Sequence, residues 1–144
     1  MPKSGMNFKV NLDPSLKERF SDAQLKEARK RAVEAAGMVW ADETKEVTRE
    51  DDHIDTSLYI NSIGYVTNFA ADPNSEKGSK QATESDVIHE LIEEEDRTTL
   101  QIGSAVSYAE FLEKRYNLMA RGLDRAEPRM KLVADAQIKR TLGL

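Results

Sequence analysis

Residues Ser21 to Val47 carry the strongest helical pattern in the chain, and any fold must accommodate a helix of about that length. Leu25, Ala28, Ala32, Ala35 and Val39 recur at helical spacing with Trp40 alongside, while Lys26, Glu27, Lys30, Arg31 and Glu34 occupy the opposite side. Ser21 supplies an N-cap, because a side-chain oxygen there accepts from an otherwise orphaned N–H of the first turn. A stripe this rich in alanine lets the helix lie close against a sheet or a second helix. Gly37 costs up to ~1 kcal/mol relative to alanine inside a helix, so it reads as a point of close packing rather than a break.

The remaining composition sets what can cover that stripe. With 144 residues, 39% hydrophobic and 33% charged, the chain suits a single domain spanning 1–144, with a modest core and much solvated or partner-facing surface. There is no cysteine, which excludes disulfides and thiolate chemistry. No apolar run approaches the ~20 residues of a membrane helix. Met1–Ser4 leads into no hydrophobic stretch, so neither a signal peptide nor membrane association is expected. The net charge of −5 is unevenly distributed. From Ala71 to Asp96 nine acids face two lysines, whereas from Ser107 onward eight basic residues face five acids. Such a dipolar chain is suited to meeting copies of itself, acidic lobe near basic helix; the equal alternative is a solvated acidic loop beside an ordinary helix.

Beyond the long helix the pattern is that of an α+β domain. Met6 to Asn11 reads as a short strand, and Asp13-Pro14 as a turn or helix start. Ser62 to Phe69 alternates Ile63, Tyr65, Thr67 and Phe69 with polar or small neighbours, which predicts a strand after a turn or short helical lead-in over Thr56–Asn61. Leu100, Ile102, Ser104 and Val106 predict its antiparallel partner over Thr98–Val106. Between the two lies a long acidic insertion, 70–97. Its first half has the composition of a mobile loop, and Glu84–Asp96 is expected to form a short helix with Val87, Ile88, Leu91 and Ile92 on one face. Ser107 is expected to cap a helix carrying Tyr108, Phe111 and Leu112. A last helix runs from Leu118 to Leu142, kinked or restarted at Pro128. The expected fold is thus a small, mainly antiparallel sheet packed against a long N-terminal helix and C-terminal helices.

Reactive constellations are scarce. Asp51, Asp52, His53 and Asp55 include metal-type ligands, but neighbours in one polar run rarely converge on an ion, and a solvated turn is the simpler reading. The string from His89 to Asp96, HELIEEED, has Glu93 where a zinc-binding helix needs its second histidine. No phosphate-binding loop, dinucleotide fingerprint or nucleophile elbow occurs. No catalytic residue, cofactor or metal site is therefore assigned. Arg115, Arg121, Arg125, Arg129 and Lys131 offer a basic stripe interrupted by Asp124 and Glu127, better suited to a subunit contact or a solvated face than to phosphates.

Two segments resemble the small head–tail joining, neck or tail-completion proteins of long-tailed bacteriophages, the minor tail component group. Val106-Ser107-Tyr108-Ala109-Glu110-Phe111-Leu112-Glu113 fits that group's V-x-Y-A-x-[YF]-[VL]-E segment throughout. Thr56, Ser62 and Ile63 keep the spacing of its T-G-x-L-R-x-S-I segment, with Ser57, Tyr59 and Ile60 departing from the pattern. Asn117–Ala126 is similar to a degenerate form of a third, P-F-L-x-P-A-L-like segment. Order and spacing extend over roughly Leu25 to Arg140, apart from the acidic insertion.

The resemblance implies a structural protein of the virion, assembled in the host bacterial cytoplasm as a homo-oligomeric ring, expected to be hexameric, around the DNA path. Its partners would be copies of itself, a tail tube or tail terminator, and a head connector or stopper; DNA would pass without specific binding. Val106, Tyr108 and Phe111 would form the strand-to-helix junction, with both aromatic rings turned back onto the sheet and Glu110 and Glu113 outward. Glu84, Asp86, Glu90, Glu93, Glu94, Glu95 and Asp96 would line the lumen or face a neighbouring ring, and Arg115, Arg121, Arg125 and Arg129 would make subunit contacts. The competing expectation is a soluble cytosolic binding or regulatory protein whose acidic insertion folds on a basic partner. A metal-dependent enzyme using Asp51, His53 and Asp55 is the third.

Overall fold

The computed structural model describes residues 4–51, 57–70 and 78–144. Its order is β1 (Ser4–Asn11), a 3-10 turn (Pro14–Glu18), α1 (Asp22–Glu50), α2 (Leu58–Ser62), β2 (Val87–Glu93), β3 (Arg97–Ser104), α3 (Ala109–Tyr116) and α4 (Leu118–Leu142). The class is α+β, with a three-stranded antiparallel sheet in the order β1-β3-β2. No helix among the described residues is long and apolar enough to cross a membrane.

The start of α1 follows from its sequence. Gln24 N–H donates to Ser21 Oγ at 3.2 Å and Ser21 N–H to Gln24 Oε1 at 2.9 Å, a reciprocal capping box. From there the helix is buried on more than the alanine stripe. Ala28, Ala32, Val33, Ala36, Val39, Trp40, Ala41, Thr44, Val47 and Thr48 are all enclosed. One side meets the inward face of the sheet, where Met6, Phe8, Leu91, Leu100 and Ile102 stand. Trp40 packs edge-on against Phe8, ring centres 5.8 Å apart, and its indole N–H donates to Met119 O at 3.1 Å. Another side meets α4, which runs antiparallel: Thr44 lies at Gly122, while Leu25 and Ala28 near the start of α1 cluster with Leu142 at the end of α4.

Four expectations need correction. The first is Ser62–Phe69, which is not a strand: Ser62 ends α2, and the segment continues as extended chain outside the ladder. A strand has two edges, and those of β3 are taken by β1 and β2 along nearly its whole length. The alternating burial of Tyr65, Thr67 and Phe69 is real, but Asn61 supplies the bonds a ladder would. Phe69 N–H donates to Asn61 Oδ1 at 2.6 Å, and Asn61 Nδ2 donates to Phe69 O at 3.2 Å.

The second correction concerns Glu84–Asp96. Only Glu84–Asp86 is helical, as one 3-10 turn, and β2 follows at once. The spacing of Val87, Ile88, Leu91 and Ile92 fits either period, and pairing with β3 decides it: His89 lies opposite Ile102 and Leu91 opposite Leu100. The two strands are joined through Glu94, Glu95 and Asp96, closed by Glu94 N–H to Arg97 O at 2.8 Å. A quarter of the expected insertion, Val87–Glu93, is therefore a strand of the sheet; residues 71–77 lie outside the described residues.

At the third point, Ser107 does not cap α3. The chain turns first, Ala109 N–H donating to Val106 O at 3.0 Å, and the helix begins at Ala109 after Tyr108. Lastly, α4 does not restart at Pro128 but continues through it, with the proline at an exposed position; water can satisfy the carbonyl that a proline leaves without a donor.

Gly122 marks the tightest helix–helix approach. A β-carbon there would stand 2.8 Å from Thr44 Cα and 2.9 Å from its Cβ, so backbone, not a flexible side chain, would have to move. Gly122→Ala should destabilise the protein by about 1–3 kcal/mol despite alanine's better helix propensity. Urea unfolding of the two proteins checks this, and an unchanged or raised midpoint would contradict the close contact.

Candidate assembly surfaces

The strand-to-helix junction holds the segment on which the resemblance is clearest. Val106 and Ala109 are buried and anchor it. Because α3 starts at Ala109, its inward face reads Ala109, Leu112, Glu113 and Tyr116, and Phe111 is turned away. Phe111 is 59% exposed and Tyr108 37% exposed, so the expectation that both rings fold back onto the sheet is corrected. Tyr108 keeps a tilted contact with Tyr59, ring centres 6.5 Å apart. Two large aromatic residues thus face outward at one corner.

Glu110 points outward and pairs with Lys114 at 3.0 Å. Glu113 does not. Its carboxylate accepts from Met119 N–H at 2.7 Å and Ala120 N–H at 3.1 Å, across the left-handed Asn117 that separates α3 from α4. It therefore caps α4 from the preceding helix, with its negative charge at the positive end of the helix dipole. The last residue of the V-x-Y-A-x-F-L-E segment is a structural clamp that reading α3 as a simple amphipathic helix overlooks.

Three of the four arginines expected at subunit contacts, Arg121, Arg125 and Arg129, meet α1 or its C-cap in their own chain. Arg121 forms a bidentate pair with Asp51, with Nη2 2.9 Å from Oδ1. Arg125 bonds Glu50 and lies 3.3 Å from Glu43, and Arg129 Nη1 is 3.6 Å from Glu43. Arg115 lies over the ring of Tyr116. These carboxylates hold the Arg121 and Arg125 guanidiniums in their charged form, above the ordinary arginine range. Exposed pairs of this kind fix helix register more than they stabilise.

The acidic residues fall at three places on the hairpin. Glu84 and Asp86 lie before β2, where Asp86 accepts from Thr83 N–H at 2.9 Å. Glu90 stands on the outward face of β2. Glu93, Glu94 and Asp96 pair with Lys26 at 3.0 Å, Arg97 at 2.9 Å and Lys17 at 2.5 Å, while Glu95 is exposed. The contact with Lys17 pulls the Asp96 carboxyl below its usual range, and Asp96 raises the lysine in turn.

Two buried cations escaped the sequence reading. Arg29 donates from Nε to Thr98 Oγ1 at 3.2 Å and from Nη2 to Glu94 O at 3.4 Å, beside a cleft of about 240 Å³ that Leu12, Lys17, Leu25 and Asp96 also line. Lys45, 3% exposed, donates to Tyr65 O at 2.8 Å and Thr67 Oγ1 at 3.2 Å, and lies 3.6 Å from the Tyr65 ring centre. It ties the extended segment after α2 to α1. Both sit at i, i+3/i+4 positions of the buried stripe, and that spacing was the available signal. Burial drives the Lys45 ammonium down to about 7.

His89 lies on the helix-side face of the sheet, Nδ1 3.2 Å from Gly64 O and Nε2 3.7 Å from Glu34. Of the suggested metal ligands, Asp51 is engaged by Arg121, and Asp52, His53 and Asp55 lie outside the described residues. Among the described residues no group of three or more His, Asp or Glu is placed to hold an ion. No family model, no curated protein and no solved structure matches this chain.

Two measurements follow. Glu113→Ala should lower stability by about 1 kcal/mol, as loss of a helix cap does, and Glu113→Gln should lower it less; equal stability of all three proteins would exclude the clamp. For Lys45 the folded state releases its proton near pH 7 and the unfolded chain near 10.5. Between those values the unfolded state binds more protons, so this residue makes stability rise with pH and its cost is greatest below 7. The stability of Lys45→Met relative to the native protein should therefore fall from pH 6 to pH 9. A difference independent of pH would show that Lys45 is not desolvated.

Proposed function

We propose that the chain is a structural subunit of a phage neck or tail-completion ring, joining the tail tube to the head connector around the DNA path. The observation that carries this reading is the outward-facing pair Tyr108 and Phe111, within the segment that most resembles the neck proteins. Neither ring is needed in full to close the chain's own core, and exposed aromatic residues are a mark of subunit contacts. The mechanism is assembly: one patch meets a different patch on the next copy, and the rotation closes a ring, taken here as hexameric.

In that ring the exposed carboxylates at the hairpin tip, Glu94 and Glu95, face the lumen or a neighbouring ring, where negative charge keeps DNA phosphates from adhering. The arginine row acts mainly within the subunit, holding α4 on α1. The reading assigns the chain no reaction and no cofactor, and places it in the virion. Should the purified chain instead capture a basic protein through the hairpin while remaining a monomer, the binding-protein reading replaces this one.

Phe111→Ser tests the carrying observation. The variant should keep the native circular dichroism spectrum and unfolding midpoint, because the ring lies outside the core, yet fail to enter assembled particles imaged by electron microscopy. Particles that incorporate it normally and remain infectious would refute the assembly role of this corner.

A further inference from the structure

Among the described residues the sheet ends on both sides in a strand with no further partner. Among the described residues, no backbone hydrogen bond joins β1 or β2 to any partner but β3. Each therefore presents a row of unpaired N–H and C=O groups, the usual template for adding a strand. Both are antiparallel to β3, so β1 and β2 run parallel to each other. A copy set beside the sheet in the same orientation would extend it by a parallel β2–β1 pair, and that contact is heterologous, as a ring requires.

Charge selects this arrangement. The outward face of β1 carries Gly5, Asn7, Lys9 and Asn11, with Lys9 its sole charge; the outward face of β2 carries Ile88, Glu90 and Ile92, with Glu90 its sole charge. Neither Lys9 nor Glu90 forms an ion pair among the described residues, whereas Lys17, Lys26 and Arg97 around them do. Pairing the whole of β2 with a second β2 about a twofold axis would instead set Glu90 directly against Glu90, a destabilising cross-strand pair.

We propose that copies of this chain associate edge to edge, β2 of one beside β1 of the next, with Glu90 facing Lys9 across the joint. That register sets Asn7 beside Ile88 and Asn11 beside Ile92 on the outward face, and Phe8 beside His89 and Val10 beside Leu91 on the helix side. The inference deepens the ring reading by naming the surface through which one copy meets the next.

The test uses the full chain, which has no native cysteine. Lys9→Cys and Glu90→Cys proteins, mixed at high concentration and oxidised, should give the mixed 9–90 dimer in at least tenfold excess over either homodimer. The double variant should give a ladder of linked copies. Charge reversal supplies a readout without cysteine: Lys9→Glu and Glu90→Lys should each abolish association seen by light scattering, and mixing the two should restore it. Homodimers of Glu90→Cys alone would show a twofold contact, and absence of the 9–90 link would overturn the proposal. A 9–90 ladder from a chain missing from phage particles would sink the neck reading alone. Rings in particles lacking the link would sink only the edge contact.

Discussion

The contact between Gly122 of α4 and Thr44 of α1 is the constraint on which the rest of the architecture turns. With no side chain on Gly122, α4 lies so close to Thr44 that an added β-carbon would stand 2.8 Å from the Thr44 Cα, and α1 becomes buried along much of its length rather than along one stripe. Gly37 does the same toward the sheet, where an added β-carbon would come within 3.2 Å of Ile102 Cδ1. Small residues on two sides of one helix bring a sheet and a second helix close enough for a modest apolar content to make a continuous core. Trp40 fills the remaining volume between Phe8 and Met119, with its single polar atom satisfied.

Once α1 is enclosed, the two cationic residues on its buried side find partners inside. Arg29 reaches the carbonyl of Glu94 and the hydroxyl of Thr98, so the tip of the hairpin is fastened to the helix. Lys45 reaches Tyr65 and Thr67 and holds the stretch after α2 against the same helix. These bonds leave the extended segment satisfied without a place in the sheet, which in turn leaves β2 free to be an edge. The strand edges follow from how the interior is closed and the outward aromatic corner from where α3 starts, and these are where the assembly reading finds its surfaces.

Much of the fold was legible in the sequence because local signals agreed with one another. Ser21 announces the start of α1, Met6–Asn11 shows strand alternation, and Leu118–Leu142 appears with the boundaries the helix has. Reading failed where local signals were ambiguous. Val87–Ile92 fits a helix or a strand, and Ser62–Phe69 has true strand alternation but no edge left to join. Of the candidate surface, the importance of Val106–Glu113 was apparent, but the direction of its side chains was not. Moving the cap of α3 by one residue, from Ser107 to Tyr108, rotates the face by about 100° at 3.6 residues per turn, which carries Phe111 from core to solvent.

The amino-acid sequence by itself determined the α+β class, the long alanine-rich helix, the charge asymmetry and the order of the main elements, since these depend on periodicity and capping within short stretches. Only the tertiary structure decided which strands flank β3, which charges are spent inside the chain and which remain outside. Those outcomes depend on competition between distant segments for a limited number of hydrogen-bonding edges and ion partners, and no local pattern records who wins.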